Sequence, residues 1–148
     1  INASRAQLVR EVIRPSLAAG EVVLCDRFYD STVAYQGYGR GLDLEMIGKV
    51  IDFAVGSTRP HLTLMLYVPV GVSESRRQSR QAAGGVVRDR MEEAGRDFFE
   101  RVEQGYRAIA AAEPGRVKWI DATGGIPEVS EAIWEHVKRL LGGGGLVE

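Results

Sequence analysis

Asp26 and Arg27 stand directly after EVVLC, a short apolar run at residues 21–25. A carboxylate at the end of such a run is the Walker-B arrangement, in which it positions Mg²⁺ or a metal-bound water near phosphates. The planar fork of Arg27 suits bidentate recognition of a phosphate. The same pair is equally well an exposed salt bridge at a strand end, which contributes little. The residues that follow decide between the two. In STVAYQG, Ser31, Thr32, Tyr35 and Gln36 supply hydroxyls, a ring and an amide over little more than one helical turn. On a helix, Thr32, Tyr35 and Gln36 share a face. That set suits a nucleoside pocket, with the amide for a base edge, the ring against a sugar and the hydroxyls as small polar partners. A solvated helix start capped by Asp30 or Ser31 accounts for Ser31, but leaves Tyr35-Gln36-Gly37 unexplained.

A second concentration of charge lies between Arg76 and Arg90, where arginines occupy positions 76, 77, 80, 88 and 90 against the single acid Asp89. Gly84 and Gly85 interrupt the segment and give it hinge-like freedom. An arginine-rich flap of this kind stabilises charge spread over a transferred phosphoryl group. A solvated basic helix face is the plainer alternative. Cys25 is expected as a small buried apolar side chain. His61 and His136 show no metal-ligand spacing, and Trp119 and Trp134 suit packing at or near the core.

These groups must be carried by regular elements. Residues 4–14 place Leu8, Val9, Val12 and Ile13 on one helical stripe, with Arg5, Arg10, Glu11 and Arg14 largely off it. Pro15 suits a first helical position, and Gly20 a stop. EVVLC reads as a strand buried on both faces. Ile47, Val50, Ile51 and Ala54 repeat at helical spacing between Asp43 as cap and Gly56 as stop. LTLMLYV (62–68) and VKWI (117–120) read as two more strands. Further helices are expected over about 93–112, packing Phe99, Val102, Tyr106, Ile109 and Ala110, and after Pro127, facing Val129, Ile133, Val137 and Leu140 inward. The alternation is that of an α/β protein with a parallel sheet. In such sheets ligands sit beyond the carboxyl ends of the strands, here at Asp26-Arg27, Pro69-Val70 and Asp121-Ala122-Thr123.

The chain has 148 residues, room for one domain, and a formal net charge of -1, which gives no global electrostatic case for nucleic acid or an anionic membrane. One cysteine leaves no disulfide framework, as suits a reducing compartment. No apolar run reaches the length of a membrane span, and no signal peptide is evident.

The segments SRAQLVREVIRPSLAAGEVVLCDRFYDSTVAYQGYGRGLD, RPHLTLMLYV, RDRME, FFERVEQGYRAIA and WIDATGGIPEV together resemble bacterial thymidylate kinases. The resemblance covers the chain apart from its glycine-rich tail, and the pairing of DRF with AYQG-x-GRG is its most specific part. It implies phosphoryl transfer from ATP to dTMP on a P-loop NTPase-type three-layer parallel sheet with flanking helices, with Mg²⁺ as cofactor and a cytoplasmic homodimer as the assembly. Residues 1–141 would form a partial kinase domain with a lid at about 76–92, and 142–148 a flexible tail. Carried over by position, Arg5 would bond the thymine carbonyl and Arg27 the dTMP phosphate. Asp26 would stand near the metal and phosphates. Ser31, Thr32, Tyr35 and Gln36 would line the thymidine pocket, with Tyr35 near the 2′ position. Arg76, Arg80 and Arg88 would reach ATP phosphates, Asp26, Arg27, Arg80 and Arg88 would be the catalytic residues, and Asp121, Ala122 and Thr123 would lie beside adenine.

Several departures qualify that correspondence. G-x-x-x-x-G-K-[ST] does not occur in these residues, so the lysine, the Mg²⁺-binding hydroxyl and the backbone phosphate cradle are expected to be missing. The family carries them on a preceding strand and helix, and the chain therefore reads as N-terminally truncated. Ile1 stands where the family has a phenylalanine on thymine, and His61 and Tyr67 replace aspartates. The chain alone is expected not to transfer phosphate, and to expose unpaired strand edges and apolar surface. The alternatives are a non-catalytic remnant that binds a nucleotide or partner, and a related deoxynucleoside kinase, against which Arg5 and AYQG argue.

Overall fold

The first helical rod runs without a break from α1 (Asn2–Leu8) through a π-helical stretch (Val9–Ile13) into α2 (Arg14–Ala18). The structure is a computed structural model, and it describes residues 1–82 and 95–142. Pro15 explains the widened middle. A proline lacks the N–H its turn needs and its ring crowds the carbonyl four residues earlier. Here the preceding N–H, that of Arg14, bonds Val9 O five residues back. The chain divides into two compact units, residues 1–60 with 101–107 and residues 61–100 with 108–148.

In the first unit the core comprises Val9, Ile13, Phe28, Tyr29, Ile47, Ile51, Ala54 and Val55, with Ala6, Val23 and Val33 packed against it. Each such aliphatic side chain contributes roughly 1.5–3 kcal/mol by leaving water. Arg5 departs from the expected pattern: it falls on the buried face with Val9 and Ile13, four and eight residues on, while Leu8 and Val12 remain substantially exposed. A side chain with three methylenes and a fixed fork can be buried when the guanidinium finds partners, and it finds them here. The cap of α4 (Leu44–Val55) is as expected, with Asp43 accepting from Met46 N at 2.7 Å and Gly56 ending the helix at φ 57°. Val50, expected inside, is instead partly exposed.

The larger correction concerns residues 21–25. They form no strand, and Val22 and Leu24 are 69% and 93% exposed while Val23 packs inward. Alternation survives but the ladder does not. A strand is defined by its partner, and among the described residues none pairs with this segment. Cys25 is consequently exposed rather than buried.

The second unit holds β1 (Thr63–Tyr67) and β2 (Val117–Asp121), paired in parallel from Thr63 opposite Val117 to Tyr67 opposite Asp121. The Ala122 N–H bonds Tyr67 O at 2.8 Å, continuing the ladder by one residue. At the opposite end, Arg116 donates to Thr63 Oγ1 at 2.7 Å and pairs with Glu113 at 2.8 Å. α5 (Val70–Ala82) follows β1, and α7 (Ile126–Gly142) follows β2 and packs on it through half-buried Val129, Ile133, Val137 and Leu140. Tyr67 and Trp119 lie on one sheet face with ring centroids 4.9 Å apart. Leu66 points the other way and is 55% exposed. α6 (Arg96–Ala112) buries Val102 and Ile109.

Candidate functional site

In the first unit a short helix, α3 (Tyr29–Thr32), opens onto a π-helical stretch, Val33–Gly39, that contains AYQG. Its end is marked by the Arg40 N–H bonding Tyr35 O, five residues back, at 3.0 Å. Gly37 lies where this wide turn meets α4, and any Cβ there would collide with the Leu44 side chain. A local sequence rule cannot foresee the π turn, because it is a small departure from the i→i+4 ladder that packing selects. Its effect is to shift Tyr35 and Gln36 from the positions that regular helical spacing assigns.

Arg27 adopts a left-handed backbone, φ 62°, uncommon outside glycine. Its guanidinium lies 5.1 Å over the Tyr35 ring and donates to the Tyr35 hydroxyl at 3.1 Å. Among the described residues this accounts for one donor of five, and Arg27 is exposed. The rings of Tyr35 and of Tyr106 on α6 form a T-shaped pair, 6.3 Å between centroids and 80° between planes. The Tyr106 hydroxyl donates to Ser31 Oγ at 3.1 Å. Burial pushes the Tyr106 phenol above its ordinary pKa, while the Ser31 bond acts in the opposite sense. Arg101, one turn earlier, donates to Gly39 O at 3.0 Å. Ser31, Tyr35 and Gln36 are half-buried, whereas Thr32 is enclosed and its Oγ1 has no hydrogen-bond partner among the described residues.

Arg5 lies beneath Phe28, 5.6 Å from the ring centroid, and donates to Phe28 O at 3.1 Å and to Asn2 Oδ1. Burial lowers its pKa, with Cys25 and Asp30 acting the other way. Asp26 is exposed beside Arg27. Asp30 is buried at 5% exposure, and α3 begins at Tyr29, with Phe28 at its N-cap and no side-chain cap there. Among the described residues no three His, Cys, Asp or Glu side chains converge as a metal cluster. Mg²⁺ bound mainly by phosphates needs only one or two carboxylates, and exposed Asp26 suits that donor set.

In the second unit the structure brings together Arg76, Asp121, Ala122 and Thr123. Arg76 of α5 donates to Ala122 O at 3.1 Å and to Thr123 O at 2.8 Å. Asp121 Oδ1 accepts from the Thr123 N–H at 2.8 Å and from its hydroxyl at 2.7 Å, which holds the Asp121 carboxyl below its usual pKa. Arg80 lies on α5. Arg88, and with it most of the expected lid, lies outside the described residues. Tyr106 and Arg101 were not anticipated as site residues. Tyr106 carries a readable signal, since a phenol on the Val102–Ile109 stripe needs a polar partner when buried. Arg101 carries none.

A family model described as thymidylate kinase matches residues 1–133. Thymidylate kinase of Synechococcus sp. (strain JA-2-3B'a(2-13)) is 49% identical over 139 residues, covering 94% of this chain and 64% of the relative. That of Solidesulfovibrio magneticus is 49% identical over 141 residues, covering 94% and 68%. The crystal structure of thymidylate kinase from Ehrlichia chaffeensis superposes with a TM-score of 0.68 at 29% identity, over 93% of this chain and 60% of that one. The chain therefore spans about two thirds of the length of these relatives. Among the described residues no helix is long and apolar enough to cross a membrane.

Proposed function

The chain belongs to the thymidylate kinase family, with the α/β fold of P-loop kinases, and from that premise we propose that its residues form the dTMP-binding part of an enzyme that transfers the γ-phosphoryl group of ATP to dTMP. The observation that carries this reading is Arg27 held over Tyr35 with its remaining donors facing solvent, directly ahead of the polar AYQG turn. Arg27 takes the dTMP phosphate. Tyr35 and Gln36 line the nucleoside with Ser31, and Tyr35 crowds the 2′ position. Arg5, its plane fixed by Phe28 O, offers its other donors to a thymine carbonyl. Thr32 braces this wall from within.

Asp121, Ala122 and Thr123 form the adenine-side loop. Arg76 holds that loop, while Arg80 and Arg88 belong to the lid at about 76–92 that meets the ATP phosphates. Asp26 is the residue that would hold Mg²⁺, through water, and the ion would offset charge on the phosphates. Transfer is direct and in line, so the chain's own contribution is positioning and electrostatic stabilisation, with no covalent intermediate. We assign residues 1–141 to one kinase domain, acting in the cytoplasm as a homodimer. Because no G-x-x-x-x-G-K-[ST] occurs here, the 148 residues by themselves bind dTMP without turnover.

Calorimetric titration of the 148-residue chain with dTMP, UMP and dCMP tests the reading, alongside a coupled assay for dTDP. Selective uptake of dTMP with no dTDP formed is the expected result. Equal affinity for all three monophosphates, or none for dTMP, overturns it.

A further inference from the structure

Tyr106 bounds the side chain on which the proposed phosphate-holding group rests. Arg27 has a left-handed backbone, so its side chain leaves the main chain in an unusual direction. The guanidinium is located by the Tyr35 ring and hydroxyl, at 5.1 and 3.1 Å. Tyr35 itself sits in a widened π turn, and the Tyr106 ring meets its ring in a T-shaped contact, 6.3 Å between centroids.

Tyr106 is in turn well fixed. Its hydroxyl donates to Ser31 at 3.1 Å, and the same helix is seated by Arg101 on Gly39 O and by Gly105, whose missing Cβ would meet the Tyr38 ring at 2.9 Å. Burial favours the neutral phenol, which keeps it a donor to Ser31. Three successive contacts of α6 thus converge on residues 31–39.

We propose that Tyr106 is a positioning residue which, through the Tyr35 ring, sets where the Arg27 guanidinium stands and so tunes affinity for the phosphate of a nucleoside monophosphate more than for its nucleoside. The proposal rests on the reading of Arg27 as the phosphate-holding group. It places the useful part of Tyr106 in the ring, with the hydroxyl serving to orient it.

The test is calorimetric titration of the 148-residue chain and its Tyr106→Leu, Tyr106→Phe and Gly105→Ala variants with dTMP and, separately, thymidine. Tyr106→Leu should weaken dTMP by about twofold to tenfold, the range an aromatic pair supports, and weaken thymidine clearly less. Tyr106→Phe, which keeps the ring, should restore most of the dTMP affinity. Gly105→Ala displaces the whole helix and should weaken both ligands together.

Equal losses for dTMP and thymidine in Tyr106→Leu, or no loss in either, overturn the proposal. In the unliganded protein, the Arg27 Nε–Hε resonance should shift in Tyr106→Leu and return in Tyr106→Phe. An unmoved resonance overturns the proposal even if Tyr106→Leu binds poorly because it is destabilised. If Arg27→Ala leaves dTMP affinity intact while that resonance responds to Tyr106, the positional link holds and the phosphate reading is what fails.

Discussion

Arg27 and Arg76 are both arginines assigned to phosphate chemistry, and the two units of the molecule employ them in opposite ways. Arg27 is held by the Tyr35 side chain, over its ring and against its hydroxyl, and is exposed, with most of its fork unengaged among the described residues. Arg76 spends its fork on main chain, clasping two successive carbonyls of the loop after β2. The first arrangement costs few donors and leaves a cation ready for an anion. The second consumes donors to hold a loop in shape. A guanidinium bonded to two carbonyls is a poor candidate for phosphate capture until those bonds break. Sequence position grouped Arg76 with Arg80 and Arg88, and its partners set it apart.

The contrast can be broken most directly at Arg27. Arg27→Ala removes a charged donor from a phosphate, worth about 1.5–3 kcal/mol, so dTMP should bind roughly tenfold to a hundredfold more weakly with thymidine unaffected. Parallel loss of thymidine in calorimetry would make Arg27 a general support of the pocket. Arg5→Ala comes next. It strips Phe28 O of a buried donor and opens space beneath the ring, so thermal denaturation should show a loss of about 1–3 kcal/mol. An unchanged melting transition would show that the buried guanidinium is energetically neutral.

For Arg76→Ala the expectation is smaller, about 1 kcal/mol in stability, but local: amide hydrogen exchange should accelerate at 122–125 and stay unchanged in residues 28–40. Exchange that rises equally in both stretches would contradict the division of labour. The smallest effect is the pH dependence of the Asp121 turn. Its folded-state pKa is depressed by the two Thr123 donors. The turn's stabilisation is therefore fully present above the ordinary aspartate range and is lost as pH falls through the depressed value. NMR titration of the Thr123 amide should follow that carboxyl, and Asp121→Asn should flatten the curve.

Much of this was legible beforehand where the physics is local. Asp43 as a cap and Gly56 as a stop depend on a few neighbouring atoms, and both stand where the pattern put them. β1, β2 and α7 follow apolar periodicity within a residue or two. The strand expected at 21–25 failed because a ladder requires a partner that periodicity does not supply. Leu24, read as core, is instead 93% exposed. Arg5 was placed largely off the apolar stripe, although its helical phase matches Val9 and Ile13, with which it is buried.

The order of residues thus determined which chemistry could occur: a carboxylate and an arginine after an apolar run, an AYQG segment, and an α/β alternation, together enough to resemble one kinase family. Tertiary structure alone decided which of those groups stand free and which are employed. Burying Thr32, turning AYQG into a π-helical stretch, bringing Tyr106 to Tyr35 from more than seventy residues away and spending Arg76 on the Ala122 and Thr123 carbonyls are all long-range outcomes. Each is selected by packing energies, a few kcal/mol apiece, that no short window of sequence contains.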